Sequence, residues 1–206
     1  MRIKVCGLRY PDNIARIAAL DVQMMGFIFY PPSPRYAAGL DARVLAALPP
    51  RIRRVGVFVD EDVQRLLSTV RAYGLDTVQL HGGESPGYCQ NLRDKGLSVI
   101  KALGIAQKED LRRTNAYRDA CDRLLFDTRS PAHGGTGRHF DWDLLAGYRG
   151  PMPFLLSGGI RPEDARALTA LDHPYLEGVD LNSGFETAPG VKDPQALADF
   201  IRRLRG

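Results

Sequence analysis

Eight short apolar blocks, each followed by an amphipathic stretch, succeed one another along the whole chain, and this repeat constrains the fold more than any other feature. The apolar blocks cover residues 3–6, 25–30, 55–60, 77–81, 98–103, 123–128, 153–157 and 177–181. Helical periodicity fills the intervals at 12–20, 41–48, 62–73, 85–95, 108–117, 142–148, 162–171 and 194–205. Strict strand–helix alternation predicts right-handed crossovers and a parallel sheet covered on both faces, which is why the strands read as continuous apolar runs. Eight units in 206 residues leave about 26 per unit, tight but sufficient for a closed barrel. The predicted architecture is a single (β/α)8 TIM barrel spanning 1–206. An open dinucleotide-binding sheet is disfavoured, because the turn after the first strand, KVCGLRYPD, carries one glycine instead of the Gly-x-Gly-x-x-Gly pattern. Gly74 and Gly96 fall where left-handed helix ends are wanted.

Composition removes several functional classes. Lys and Arg number 28 against 24 Asp and Glu, a formal +4, and only five of the cations are Lys. Guanidinium suits carboxylate or phosphate, but acidic residues are interleaved nearly everywhere and no reading motif accompanies the charge, so no nucleic-acid partner is expected. The longest nearly apolar run, residues 22–30, is far short of the roughly 20 residues that cross a bilayer, and the amino terminus lacks the apolar core of a secretory signal. No membrane span and a cytoplasmic location are therefore expected. Cys6, Cys89 and Cys121 are odd in number and widely spaced, which points to neither disulfides nor a zinc cluster, and His81, His133, His139 and His173 lack metal-ligand spacing.

A barrel keeps its chemistry at the carboxyl ends of its strands. The polar residues there are Cys6, Arg35, Asp60, His81, Asp127, Ser157 and Asp180. Asp60, with Glu61 and Asp62, reads as the cap of a helix. Taken alone, Cys6 reads as a small buried hydrophobe, Arg35 as a solvated loop residue and His81 as a hydrogen-bonded strand end. Glycine-bearing segments follow the last three strands: HGGTG at 133–137, SGGIRPED at 157–164 and NSG at 182–184. Glycine lets the backbone approach an anion, SGG leads towards a helix start, and the seventh and eighth loops commonly hold phosphate in barrels. HGGTG is neither an esterase oxyanion loop, since no Gly-x-Ser-x-Gly elbow exists, nor a Walker loop.

Taken in order, KVCG (4–7), GFIFYPPSPRY (26–36), VGVFV (55–59), QLHG (79–82), IKALG (100–104), FDT (126–128), GGTGRHFDW (134–142), LSGGIRPED (156–164) and DLNSGFETAPGVKD (180–193) resemble the phosphoribosylanthranilate isomerases over essentially the whole chain. The resemblance implies a cofactor-free barrel that performs an Amadori rearrangement of N-(5-phosphoribosyl)anthranilate in tryptophan biosynthesis, acting as a monomer or homodimer. It implies Cys6 as base and Asp127 as acid. Arg35 would pair with the anthranilate carboxylate, while Gly158, Gly159, Ser183 and Gly184 would cradle the phosphate. Gly135 and Gly137 would shape a cover, and His81 and Asp180 would line the pocket. A thiol of ordinary pKa is only about 3% ionised at pH 7, so Cys6 needs a nearby cation, and Lys4 lies two residues earlier on the same strand face. Asp127 needs to hold a proton, which partial burial or a second carboxylate such as Asp180 would favour. The chain departs from common family forms at Leu8-Arg9, Pro32 and Asn182. The competing readings are a histidine-pathway barrel isomerase, expected to use two aspartates, and a silent barrel that only binds sugar phosphates.

Overall fold

The computed structural model describes residues 1–128 and 142–206. Eight parallel strands close into a barrel in chain order: β1 (Arg2–Val5), β2 (Met24–Ile28), β3 (Arg53–Phe58), β4 (Thr77–Leu80), β5 (Ser98–Ile105), β6 (Arg123–Thr128), β7 (Phe154–Leu156) and β8 (Leu176–Leu181). Closure is made by β1 on β8, with Ile3 opposite Val179 and Lys4 opposite Asp180. All eight strands lie where the apolar blocks predict them, to within a few residues at their ends.

The helices start and stop for identifiable reasons. In α1 (Pro11–Ala18), proline occupies the first turn and Ile14, Ile17 and Ala18 turn inward. The Asp62 carboxylate accepts from the N–H groups of Gln64 and Arg65 at the start of α3 (Val63–Tyr73), which ends at Gly74 with φ 57°. Ser85 caps α4 (Pro86–Asp94). Asp193 caps α6 (Pro194–Arg205), whose buried Leu197, Phe200, Ile201 and Leu204 follow the spacing of one helical face. Because α3 begins at Val63, Asp60 is not its cap. Asp60 instead adopts φ 48° and accepts from Gly83 N–H at 2.7 Å, tying the loop after β3 to the loop after β4.

Two predicted α-helices are 3-10 helices, at Lys108–Tyr117 and Trp142–Gly147. In the first, Thr114 Oγ1 donates to Leu111 O at 2.7 Å, three residues back, and KEDLRRTNAY is rich in side chains that compete for backbone groups. After β7 the chain forms a 3-10 turn, Pro162–Asp164, before the short α5 (Ala165–Thr169). A small antiparallel hairpin, β9 (Glu186–Ala188) with β10 (Val191–Lys192), follows β8, and periodicity does not predict it. The remaining helix, α2 (Ala42–Ala46), is capped by Asp41.

The barrel interior holds Met24, Val55, Ile100, Ala102, Leu125 and Leu155, while a second apolar layer joins the strands to the helices. Gly178 on β8 allows the closing strands to meet, since a Cβ there would run into the carbonyl of Arg2 on β1. Gly178→Ala should therefore lower unfolding free energy by about 1–3 kcal/mol in urea titrations. An unchanged midpoint would show that β1 and β8 yield without strain.

Candidate active site

One cavity opens at the carboxyl ends of the strands, and Cys6, Arg35, His81, Asp127, Gly158, Gly159, Asp180, Ser183 and Gly184 all line it. Gly135 and Gly137 lie outside the described residues. Alternation along β1 puts Lys4 and Cys6 on the same face, towards the barrel axis. Cys6 is 4% exposed, and the missing side chain of Gly26 on β2 makes room for it: a Cβ there would sit 2.7 Å from Sγ. Burial pushes the Cys6 thiol up, with Asp180 adding to the rise, while the cations of Lys4 and Lys192 oppose it without cancelling it. Cys6 is therefore a thiol at rest.

Lys4 is the cation expected beside Cys6, and it is fully buried with Nζ 2.9 Å from Asp180 Oδ1. Burial pulls the Lys4 ammonium down, but Asp180 and Cys6 outweigh that and hold it above its ordinary value. Asp180, expected as the second carboxylate that keeps Asp127 protonated, has its charge answered by Lys4. Burial pushes Asp180 up against the pull of Lys4, and Asp127 adds to the rise. His81 Nε2 lies 3.3 Å from Asp127 Oδ2. His81 Nδ1 is in turn 3.1 Å from the amide nitrogen of Gln79, so the orientation of that amide selects the tautomer. Gln79 is 1% exposed, and its Oε1 is buried without a partner among the described residues.

At the other end of the cavity, Gly158 and Gly159 take φ 93° and 70°, and neither N–H is engaged by another described residue. The loop after β8 lies directly against them, because a Cβ at Gly184 would strike the carbonyl of Ile160. The two loops thus converge as a backbone-lined end. SGG leads into the 3-10 turn Pro162–Asp164, whose cap residue Arg161 donates its N–H to Asp164 Oδ2 at 2.7 Å.

Arg35 is 13% exposed and already gripped. Its Nε and Nη2 edge donates to Glu186 at 2.6–3.0 Å, and Glu186 also accepts from Lys192 Nζ at 2.6 Å. Arg9, one of the departures from common family forms, holds the same loop by donating from Nη1 to Pro34 O at 2.9 Å. Asn182, another departure, accepts from Lys192 Nζ at 2.7 Å. Pro32 stands on an exposed turn, and nothing in the structure explains it.

Residues 3–203 match the family model described as N-(5'phosphoribosyl)anthranilate (PRA) isomerase. The chain belongs to the phosphoribosylanthranilate isomerase family. It is thereby an isomerase of tryptophan biosynthesis. An N-(5'-phosphoribosyl)anthranilate isomerase of Parabacteroides distasonis is 47% identical, the match covering 99% of this chain and 93% of that protein. The crystal structure of a phosphoribosyl anthranilate isomerase from Thermotoga maritima superposes with a TM-score of 0.89 at 34% identity, covering 100% and 99% of the two chains. A second solved isomerase, in complex with reduced 1-(o-carboxyphenylamino)-1-deoxyribulose 5-phosphate, gives 0.85 at 33% identity with the same coverage.

Within this isomerase fold, sequence reading passes over two charged pairs that brace residues lining the cavity. Glu186 and Lys192 come from the unpredicted hairpin. Glu84 and Lys101, 6% and 1% exposed, pair at 2.8 Å, and Glu84 accepts from the N–H groups of Asp60 and Gly82. Lys101 also donates to Leu80 O and Gly82 O, so the pair clamps the backbone on both sides of His81. The available signal was a charged residue inside an apolar strand, as in SVIKAL, because burial there demands a partner. Among the described residues, no His, Cys, Asp and Glu cluster could hold a metal ion, and no helix is long and apolar enough to cross a membrane.

The raised thiol has a measurable consequence. Burial also pushes Cys89 up to about 11 and Cys121 to about 12, but of the three cysteines it is Cys6 that lines the open cavity, so Cys6 should be the first alkylated by iodoacetamide. Followed by peptide mass spectrometry, its rate should climb with pH and reach half-maximum above about 8.5, the ordinary thiol value. A rate already at plateau near pH 7 would mean a resting thiolate instead.

Proposed function

We propose that Cys6 and Asp127 carry this isomerisation as base and acid, converting N-(5-phosphoribosyl)anthranilate into 1-(2-carboxyphenylamino)-1-deoxyribulose 5-phosphate. The observation that carries the reading is their arrangement at one cavity: a thiol from β1 and a carboxyl from β6, with an arginine and an unengaged glycine backbone also lining it. Such a cavity suits a ligand with an anion at either end and a reacting carbon between.

In the first step Asp127 gives a proton to the furanose ring oxygen, the bond from that oxygen to C1 breaks, and the nitrogen lone pair forms the iminium. With its own proton first passed to solvent, the Cys6 thiolate removes the proton from C2, and the electron pair moves into the C1–C2 bond to give an enolamine. Loss of the C2 hydroxyl proton and protonation at C1 complete the ketone, so the atoms of substrate and product balance. The iminium places positive charge beside the thiol, adding to Lys4 and Lys192 and drawing Cys6 towards thiolate when it is needed. His81, 3.3 Å from Asp127, stands where it can resupply the acid's proton. Phosphate is received by the N–H groups of Gly158 and Gly159 and by Ser183 and Gly184. The histidine-pathway reading is opposed by a thiol at the end of β1 and by the engagement of Asp180 with Lys4.

Steady-state turnover of freshly prepared phosphoribosylanthranilate tests the assignment. Cys6→Ala and Asp127→Asn should each lower kcat by about 10²–10⁴-fold, the usual worth of a positioned acid or base. Inorganic phosphate should still compete for both variants. Near-normal turnover in either one overturns the assigned role of that residue.

A further inference from the structure

The geometry points to Glu186 as a positioning residue for substrate recognition: it holds the Nε and Nη2 edge of Arg35 so that Nη1 is presented to the carboxylate of the arylamine, with Lys192 fixing Glu186 in turn. The inference rests on the reading of Arg35 given above and assigns the residues that aim it.

Both oxygens of Glu186 are committed. Oε1 accepts from Arg35 Nε at 2.9 Å, from Lys192 Nζ at 2.6 Å and from Gly190 N–H at 3.1 Å, while Oε2 accepts from Arg35 Nε and Nη2 at 3.0 and 2.6 Å. A carboxylate held at five contacts has no rotational freedom left, and it transfers that fixity to a guanidinium otherwise carried on a flexible stem. Nη1 is engaged by no other described residue. Lys192 is itself anchored: its N–H donates to Asn13 Oδ1 at 2.9 Å and its carbonyl accepts from Asn13 Nδ2 at 2.8 Å, which pins the hairpin to α1. The backbone of the Arg35 loop is held separately by Arg9 at Pro34 O. Recognition is thus organised before substrate arrives, and less side-chain freedom is lost on binding.

The charges support the same assignment. Arg35, Glu186 and Lys192 are 13%, 5% and 0% exposed at their side chains, and together they carry one net positive charge. Burial alone would push Glu186 up, but hydrogen bonds from Arg35 and the charge of Lys192 outweigh it and hold the carboxylate below its ordinary range. One unanswered cation in a nearly closed cluster calls for one anion from the ligand. Glu186 therefore does two things at once: it directs the fork, and it leaves the cluster one charge short of neutral instead of two.

The test compares two substrates, N-(5-phosphoribosyl)anthranilate and the same conjugate made with aniline, which lacks the carboxylate. Glu186→Gln should raise KM for the first by about tenfold or more, the scale of a lost charge-assisted hydrogen bond, with kcat within about threefold. For the aniline conjugate both constants should move by less than about threefold. Glu186→Gln alone leaves the cluster with two positive charges, whereas Glu186→Gln with Lys192→Met restores one. The double variant should keep the raised KM for the anthranilate conjugate, because aim and not net charge has been lost. It also provides a folded protein if the single variant proves unstable. A fall in KM for the anthranilate conjugate in Glu186→Gln would mean that the carboxylate merely tempers the charge. Equal losses for both substrates would mean a purely structural role. Either result overturns the inference. Arg35→Met separates the underlying reading: if it affects both conjugates equally, Arg35 does not meet the carboxylate, whatever Glu186 does.

Discussion

The ion pair between Lys4 and Asp180 is the interaction on which the rest of the barrel mouth depends. It joins the first strand to the last at directly opposed positions, so the same contact closes the sheet and places a cation beneath Cys6. Neither group is tolerable alone in this interior, since removing one partner of a buried pair costs about 3–5 kcal/mol. The thiol of Cys6, two residues along the same face, inherits this environment: a cation below it, a carboxylate beside it, and little water.

A second theme is that candidate groups are held in place by buried charged pairs. The loop carrying His81 is clamped by Glu84 and Lys101, and Arg35 by Glu186 from the far end of the chain. These supporting pairs are nearly solvent-free, where geometry is well defined and charge–charge interactions are strong. The cavity is thereby braced where Arg35 and His81 line it, while the loops after β7 and β8 bring glycine backbone to its other end.

Much of this was legible in the residues. The eightfold alternation gives the barrel, and Cys6, Asp127 and the two glycine loops fall at strand ends where a barrel needs them. Local chemistry was read less evenly. Gly74 ends α3 as expected, but three acidic residues in a row, 60–62, leave the cap position ambiguous, and the backbone resolves it in favour of Asp62 and not Asp60. The supporting pairs were invisible for a different reason. Arg35 and Glu186 are 151 residues apart, and no periodicity or motif spacing encodes a contact between side chains so distant. The hairpin that carries Glu186 and Lys192 has strands of three and two residues, too short for an alternating pattern to register.

The order of the strands has a consequence for any fragment of this chain. A cut in the fifth connection would leave Lys4, Cys6 and Arg35 on one piece, and Asp127, Asp180, Glu186 and Lys192 on the other. The amino-terminal piece would hold Lys4 and Arg35 without the carboxylates that answer them, and the carboxyl-terminal piece would hold Asp180 and Glu186 with only Lys192 to balance them. Each piece would therefore be electrically complementary to the other at the site and incomplete by itself, so that assembly of the two pieces and assembly of the site are one event. On a ribosome that event waits for β8, because the native partner of the charge that β1 buries, Asp180, lies on it.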